Sequence, residues 1–404
     1  MHQQDNSDFI CPIKFCCGKL ALKTLPAELR VHNARKPLII FSNQAVMNGG
    51  VDSLQCVLND SEMTAGIYEG VPESPTLETV RELSRLYIDN GHDAIIAVGS
   101  GAVMNVAKVV NIAVSGGKKD VKACQGTNNI HEPLNPFFVV PDGTTTGRMA
   151  NGKAMIEDMS WASRHLIPDY LVVDSAVVRP VTPHILADRA MDALTTACFA
   201  YALPQTDYFI DPYAYLAIQT IQENLIPVMK GQNDKKGLKD YFVMSDTEKG
   251  RLALVNASAL GGFMSFCLKP SVVTLLGKAL HEVCKVPAGI LSGILLPVGL
   301  EYAMKTEGYQ LDRLLLALAG PDKYARTPEK ERSHAAMAIL RDMQDHLFHV
   351  SEGSIPRTLA GMGIAKDTLS QVAECAAQNA PGMTAQDCLA ILTHVDSGAS
   401  ISSI

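Results

Sequence analysis

The chain changes texture once, near Pro183, and that change limits the folds open to it more than any other feature. Before it, short apolar runs alternate with amphipathic stretches. Pro37–Phe41 (PLIIF), Ala94–Val98 (AIIAV), Phe137–Val140 (FFVV) and Leu171–Asp174 (LVVD) have the length and composition of buried strands. Thr76–Asn90 sets Val80, Leu83, Leu86 and Tyr87 at helical spacing, and 102–114 is helical again. Strands without polar alternation, separated by helices, predict a parallel sheet covered on both faces. From His184 onward the pattern is helical almost without interruption, broken at turns such as Gly320-Pro321 and Ala380-Pro381-Gly382. The expected architecture is an α/β nucleotide-binding domain with a parallel sheet over 1–182, followed by an all-α domain over 183–404.

Composition narrows the function classes. With 404 residues, 47% of them hydrophobic and 19% charged, the chain can bury a large core and lacks the signature of disorder. The net charge of −7, with no long basic run, argues against nucleic acid or an anionic membrane as partner. The longest near-apolar stretch, Leu252 to Leu268, contains Asn256, two serines and two glycines. It is shorter than the roughly 20 residues of a membrane span and reads as a buried helix. The first eight residues are polar, with no apolar signal region, so the expected location is the cytoplasm. The ten cysteines are scattered without a Cys-x-x-Cys pair, and Cys11, Cys16 and Cys17 have no partners at zinc-finger spacing. They are expected to be reduced and mostly buried.

Two loops carry chemistry. Gly99-Ser100-Gly101 follows a predicted strand and opens a predicted helix, the place where backbone N–H groups can approach a phosphate. The full dinucleotide fingerprint is incomplete, because its sixth position is Met104, and a plain tight turn is the competing reading. A second glycine- and threonine-rich turn, Asp142 to Gly147, follows the next strand. Two such loops at the carboxyl ends of parallel strands line one crevice, which favours phosphate binding.

The stretch Gly91 to Lys108 (GHDAIIAVGSGAVMNVAK) resembles the group III, iron-containing alcohol dehydrogenases, in which a strand leads into Gly-Gly-Gly-Ser, two residues, Asp, one residue and Ala-Lys. Gly99, Gly101, Ala107 and Lys108 match that pattern, while Ser100, Ala102 and Asn105 depart from it. Val71 to Thr76, Asp192-Ala193-Leu194-Thr195, Ile294 to Pro297 and Ile355 to Leu359 resemble further family segments, in order, from about residue 9 to 395. The resemblance implies the dehydroquinate synthase-like fold of that family and an NAD or NADP cofactor held by Ser42, Gly99, Ser100, Gly101, Asn105, Thr144, Thr145, Thr146 and Lys153. Ser42 stands where the family often has an Asp against the adenosine ribose, so NADP is tolerated.

The family's metal ligands are one Asp and three His. The resemblance places them at Asp192, Thr196, Thr274 and Ala288, so three of the four are missing and no divalent metal is expected. Thr274, Lys278 and His281 share one helix face, at i, i+4 and i+7. Lys278 falls where the family has another His near the nicotinamide, and its ammonium could stabilise the charge that the metal otherwise meets. The catalytic candidates are therefore Lys278, with Asp192 as its partner, and His281 as a proton relay; the competing reading has Lys278 reaching solvent. Phe199 replaces a family Glu and is expected to make the cleft more apolar. The expected activity is that of an alcohol dehydrogenase-like, NAD(P)-dependent oxidoreductase acting on a small alcohol or its aldehyde or ketone, with no nucleic-acid or membrane partner. A homodimer or larger homo-oligomer is implied by the family. The alternative is a non-catalytic nucleotide-binding or scaffold homologue that keeps the fold.

Overall fold

The computed structural model describes residues 11–41, 50–99, 101–115, 120–143, 147–205, 207–231, 244–379 and 383–397. They form two compact units. One holds the described residues up to 181 together with 244–266, the other those of 182–231 and 267–397.

The first unit is built on a parallel sheet. Strands β1 (Lys14–Gly18), β2 (Pro37–Phe41), β3 (Gly66–Tyr68), β4 (Ala94–Val98), β6 (Phe137–Val140) and β9 (Tyr170–Asp174) lie in the order β1-β9-β6-β4-β2-β3. The register pairs Phe41 with Val98 and Val98 with Val140. Every residue of β2, β4, β6 and β9 is buried, which is why these strands read as continuous apolar runs. On one face α1 (Leu25–Val31) and α2 (Gly50–Asn59) contribute to a core around Leu29, Leu54, Phe41 and Phe138. On the other, α3 (Leu77–Asp89) and α4 (Gly101–Val114) cover Leu38, Ile40, Ile95 and Val139. A small sheet of β5 (Gly126–Thr127), β8 (Met159–Ala162) and β7 (Lys153–Ile156) adds Trp161 to that core, its indole N–H bonded to Val121 O at 2.8 Å.

A helix from the predominantly helical half of the chain belongs to this unit. Apolar residues of α7 (Asp246–Cys267), among them Leu252, Val255 and Ala259, enter the core that holds Met149, Ala150 and Trp161. The predicted boundary at 182 thus meets a chain that returns to the sheet before leaving it again.

The second unit is helical: α5 (Pro183–Tyr201), α6 (Ile210–Gly231), α8 (Val272–Cys284), α9 (Ala288–Glu307), α10 (Leu314–Arg326), α11 (Glu329–Val350), α12 (Thr368–Asn379) and α13 (Ala385–Ser397). Thr182 caps α5 by accepting from Ile185 N, and α10 breaks at Gly320, whose φ of +80° suits the turn at Gly320-Pro321. Helix α9 lies against α5 backbone to backbone, since a Cβ on Gly289 would sit 1.8 Å from Asp188 O. Among the described residues α9 alone is long and apolar enough to cross a membrane, and 83% of its apolar window is buried inside the protein, as in a core helix.

Two expectations need correction. Only Cys198 and Cys388 are buried, and Cys17, Cys56 and Cys267 are exposed. The Cys16–Cys17 pair lies on β1, an edge strand whose side chains stay largely open to solvent. Phe199 is 5% exposed and packs edge-on against Tyr309, with ring centroids 5.6 Å apart, so it fills the helical core instead of lining a cleft.

Candidate functional site

The strand order fixes where a ligand can sit. From β2 the chain goes outward to β3, whereas from β4 it goes the other way, to β6. The connections therefore part between β2 and β4, and the crevice beyond their carboxyl ends is the ligand position of open α/β sheets. Gly99 turns the chain out of β4 with φ +139°, which a side chain would resist, and its N–H donates to Val140 O at 3.1 Å. That bond ties the first loop to the strand that feeds the second. Gly101 then opens α4, whose first-turn N–H groups have no partners within the helix. Ser42, Ser100, Thr144, Thr145 and Thr146 lie outside the described residues.

Two basic side chains tie the first loop's helix to the chain leaving the second, and sequence reasoning gave neither a role. Lys108 sits within α4 with no exposed surface. Its ammonium donates to Arg148 O (2.7 Å), Asn151 O (2.6 Å), Asn151 Oδ1 (3.2 Å) and Lys153 O (3.1 Å). Burial, with Arg148 close by, pushes its pKa well below the usual lysine value. The side chain works as a clamp from the first loop's helix onto the chain leaving the second. Arg148 itself lies beside the first loop: a Cβ on Gly101 would be 3.8 Å from Arg148 Cδ. A lysine as the sole charged residue of a largely apolar helix is the signal that could have flagged the clamp, because such a group must find oxygens.

Of the other predicted cofactor residues, Asn105 is 9% exposed and its Oδ1 accepts from Arg148 Nη1 (3.2 Å) and Met155 N (3.3 Å). Lys153 Nζ donates to Ser265 O at 2.7 Å, in the last turn of α7, where a cation also meets the negative end of the helix dipole.

In the helical unit, Asp192 is half-buried on α5 and its carbonyl accepts from Thr196 Oγ1 at 3.1 Å. Thr274, Lys278 and His281 form an exposed face of α8, as their spacing predicts. Thr274 Oγ1 lies 3.0 Å from Ser271 Oγ, the N-cap of α8. Lys278 is 63% exposed and its ion pair is with Glu282 at 3.7 Å, one turn along the same helix, instead of the expected Asp192. His281 Nδ1 lies 2.7 Å from Val286 O, which fixes the ring and leaves Nε2 for chemistry. Ala288 begins α9 and is exposed. His165 and Arg164 line a separate cavity of about 220 Å³ with Asn135 and Asp169, beside the first residues of β6 and β9, away from the glycine loops.

Comparison with known proteins agrees with this geometry. Residues 12–175 match the model of the iron-containing alcohol dehydrogenase family. The long-chain-alcohol dehydrogenase 1 of Geobacillus thermodenitrificans is 25% identical over 365 residues, covering 89% of this chain and 87% of that protein. The NADPH-dependent butanol dehydrogenase of Clostridium saccharobutylicum is 23% identical, over 93% of this chain and 91% of its own. Among solved structures, a 1,3-propanediol oxidoreductase superposes with a TM-score of 0.82 at 19% identity, over 96% of this chain and all of its own. With a parallel sheet and a glycine turn at its switch point, the chain has the fold of that structure, and its residues 12–175 are similar to the iron-containing alcohol dehydrogenases.

Proposed function

We propose that this protein is an NAD(P)-dependent oxidoreductase that interconverts a small alcohol and its aldehyde or ketone without the divalent metal of its family. The observation that carries the proposal is a retained glycine turn at the switch point alongside a lost ligand set. The donors do not fit a divalent cation. Of the four family positions, Asp192 offers one carboxylate, the hydroxyls of Thr196 and Thr274 bond within their own helices, and Ala288 offers a methyl group. A catalytic metal site calls for about three protein ligands.

Gly99, Gly101 and the first-turn N–H groups of α4 would hold the cofactor's diphosphate. A bound nicotinamide supplies the hydride acceptor or donor. Lys278 then takes the electrostatic role: its exposed ammonium, with only a 3.7 Å contact to Glu282, is free to turn towards a substrate oxygen and stabilise the alkoxide. Such a donor is worth roughly 2.7–4 kcal/mol in well-studied oxyanion sites. His281, held through Nδ1, would take or return the alcohol proton at Nε2. Glu282 takes the partner role that the sequence gave to Asp192. NADP is accepted as well as NAD, in keeping with the cofactor named for the Clostridium relative.

The test is a titration of metal-stripped protein with NADH and NADPH, followed by turnover on an aldehyde panel. Saturable binding, activity that added divalent metal does not raise, and a loss of about 100-fold in kcat for Lys278→Ala are the expected results. Binding without turnover would favour the non-catalytic homologue, and stoichiometric metal in the active protein would overturn the metal-free mechanism.

A further inference from the structure

We infer that Arg148 reads the diphosphate of the dinucleotide, placing a guanidinium beside the Gly99–Gly101 turn; the inference rests on the cofactor reading above. Arg148 follows Gly147, at the point where the second loop ends. Its aliphatic stem nonetheless packs on the first loop, 3.8 Å from where a Cβ on Gly101 would be. Both ends of the residue are held from α4. The carbonyl accepts from Lys108 Nζ at 2.7 Å, and the guanidinium Nη1 donates to Asn105 Oδ1 at 3.2 Å. Asn105 is in turn fixed by burial and by Met155 N. The guanidinium is therefore pre-positioned, not a solvated surface arginine, and it is held one turn from the helix start at which a phosphate would be received. Its planar fork suits phosphate oxygens better than an ammonium would.

In a chain of net charge −7, Arg148 also places a positive charge at this turn. Lys108 is enclosed by its four oxygens, so Arg148 is the member of the pair that can reach a ligand. An arginine here would contribute to NADH and NADPH alike, because it addresses the diphosphate that both carry. It does not choose between them.

The experiment measures NADH, NADPH, ADP and adenosine affinity for the full chain at low and high salt, for wild type, Arg148→Gln and Arg148→Lys, with thermal melting as the check on folding. The Gln variant is expected to bind both dinucleotides and ADP about tenfold more weakly or worse, with adenosine unchanged and a flatter salt dependence. The Lys variant should lose several-fold on ADP and nothing on adenosine, and it decides the matter if the Gln variant does not fold. Unchanged ADP affinity in the variants overturns the inference and leaves the cofactor reading intact. Tighter binding by Arg148→Gln also overturns it, by showing that the guanidinium obstructs the turn. No binding of either dinucleotide to wild type removes the cofactor reading and the inference together.

Discussion

Gly147 and Gly262 meet backbone to backbone: a Cβ on Gly262 would lie 1.9 Å from Gly147 O, and one on Gly147 would lie 2.4 Å from Gly262 Cα. Helix α7 is thereby pressed against the residue that ends the second loop. Gly262→Ala should force the two apart, costing about 1–3 kcal/mol as overpacking does and weakening dinucleotide binding through the displaced loop. Chemical unfolding and cofactor titration of the single variant check both effects. An alanine tolerated without loss of either would show that the close approach is not needed.

Lys108→Met tests the clamp. It keeps the volume but strands the carbonyls of Arg148, Asn151 and Lys153 without their donor. Each unsatisfied buried acceptor costs about 1–3 kcal/mol, so a fall of several kcal/mol in unfolding free energy is expected, beyond that for Lys153→Met, which removes the bond to Ser265 O. Equal losses in the two variants would mean that the four-oxygen cage contributes no more than one helix cap.

His92 gives the fold an acid limb. It is 8% exposed, its Nδ1 lies 3.0 Å from Lys36 O, and burial lowers its pKa below the usual 6.5. Above pH 6.5 both the folded and the unfolded chain carry it neutral. As pH falls below that value the unfolded chain takes up a proton that the folded chain refuses, so stability drops through the window down to the folded-state pKa. His92→Asn, which keeps a nitrogen near Lys36 O, should flatten the stability–pH slope in that window. Denaturant melts of both proteins across the acid range measure the difference.

Placing histidine at the three positions that the family resemblance marks out tests the metal-free proposal. The triple variant Thr196→His, Thr274→His, Ala288→His places one imidazole on each of the helices α5, α8 and α9, and two of the three positions are exposed, so the larger side chains have room. Elemental analysis after equilibration with Fe(II) or Zn(II) is expected to give about one ion per chain for the variant. Failure to retain metal would show that the helices α5, α8 and α9 do not bring these positions together with Asp192.

The central strands were readable because burial on both faces leaves no polar alternation to misread: Pro37–Phe41, Ala94–Val98 and Phe137–Val140 stand where their apolar runs put them. Helix α3 likewise keeps Thr76 as its N-cap and buries Val80, Leu83 and Tyr87. Strand β1 was not readable, because KFCCG is an edge strand with an exposed, irregular pattern. Nor was the β7–β8 hairpin, whose strands are four residues each. At the site, the glycine turn announced itself locally and Glu282 stands at i, i+4 spacing from Lys278, whereas Arg148 beside Gly101 depends on which segments fold together. No spacing rule reports that.

The return of α7 to the sheet has a practical consequence for anyone who would dissect this protein. Among the described residues the polypeptide passes between its two units three times, so no single cut yields two whole pieces. A fragment stopped at residue 181 would lack Leu252, Val255 and Ala259, opening the core they share with Met149, Ala150 and Trp161. Such a truncate should be recovered from cells as aggregate. Adding back residues 244–266 through a short tether is the shortest route to an autonomous α/β unit.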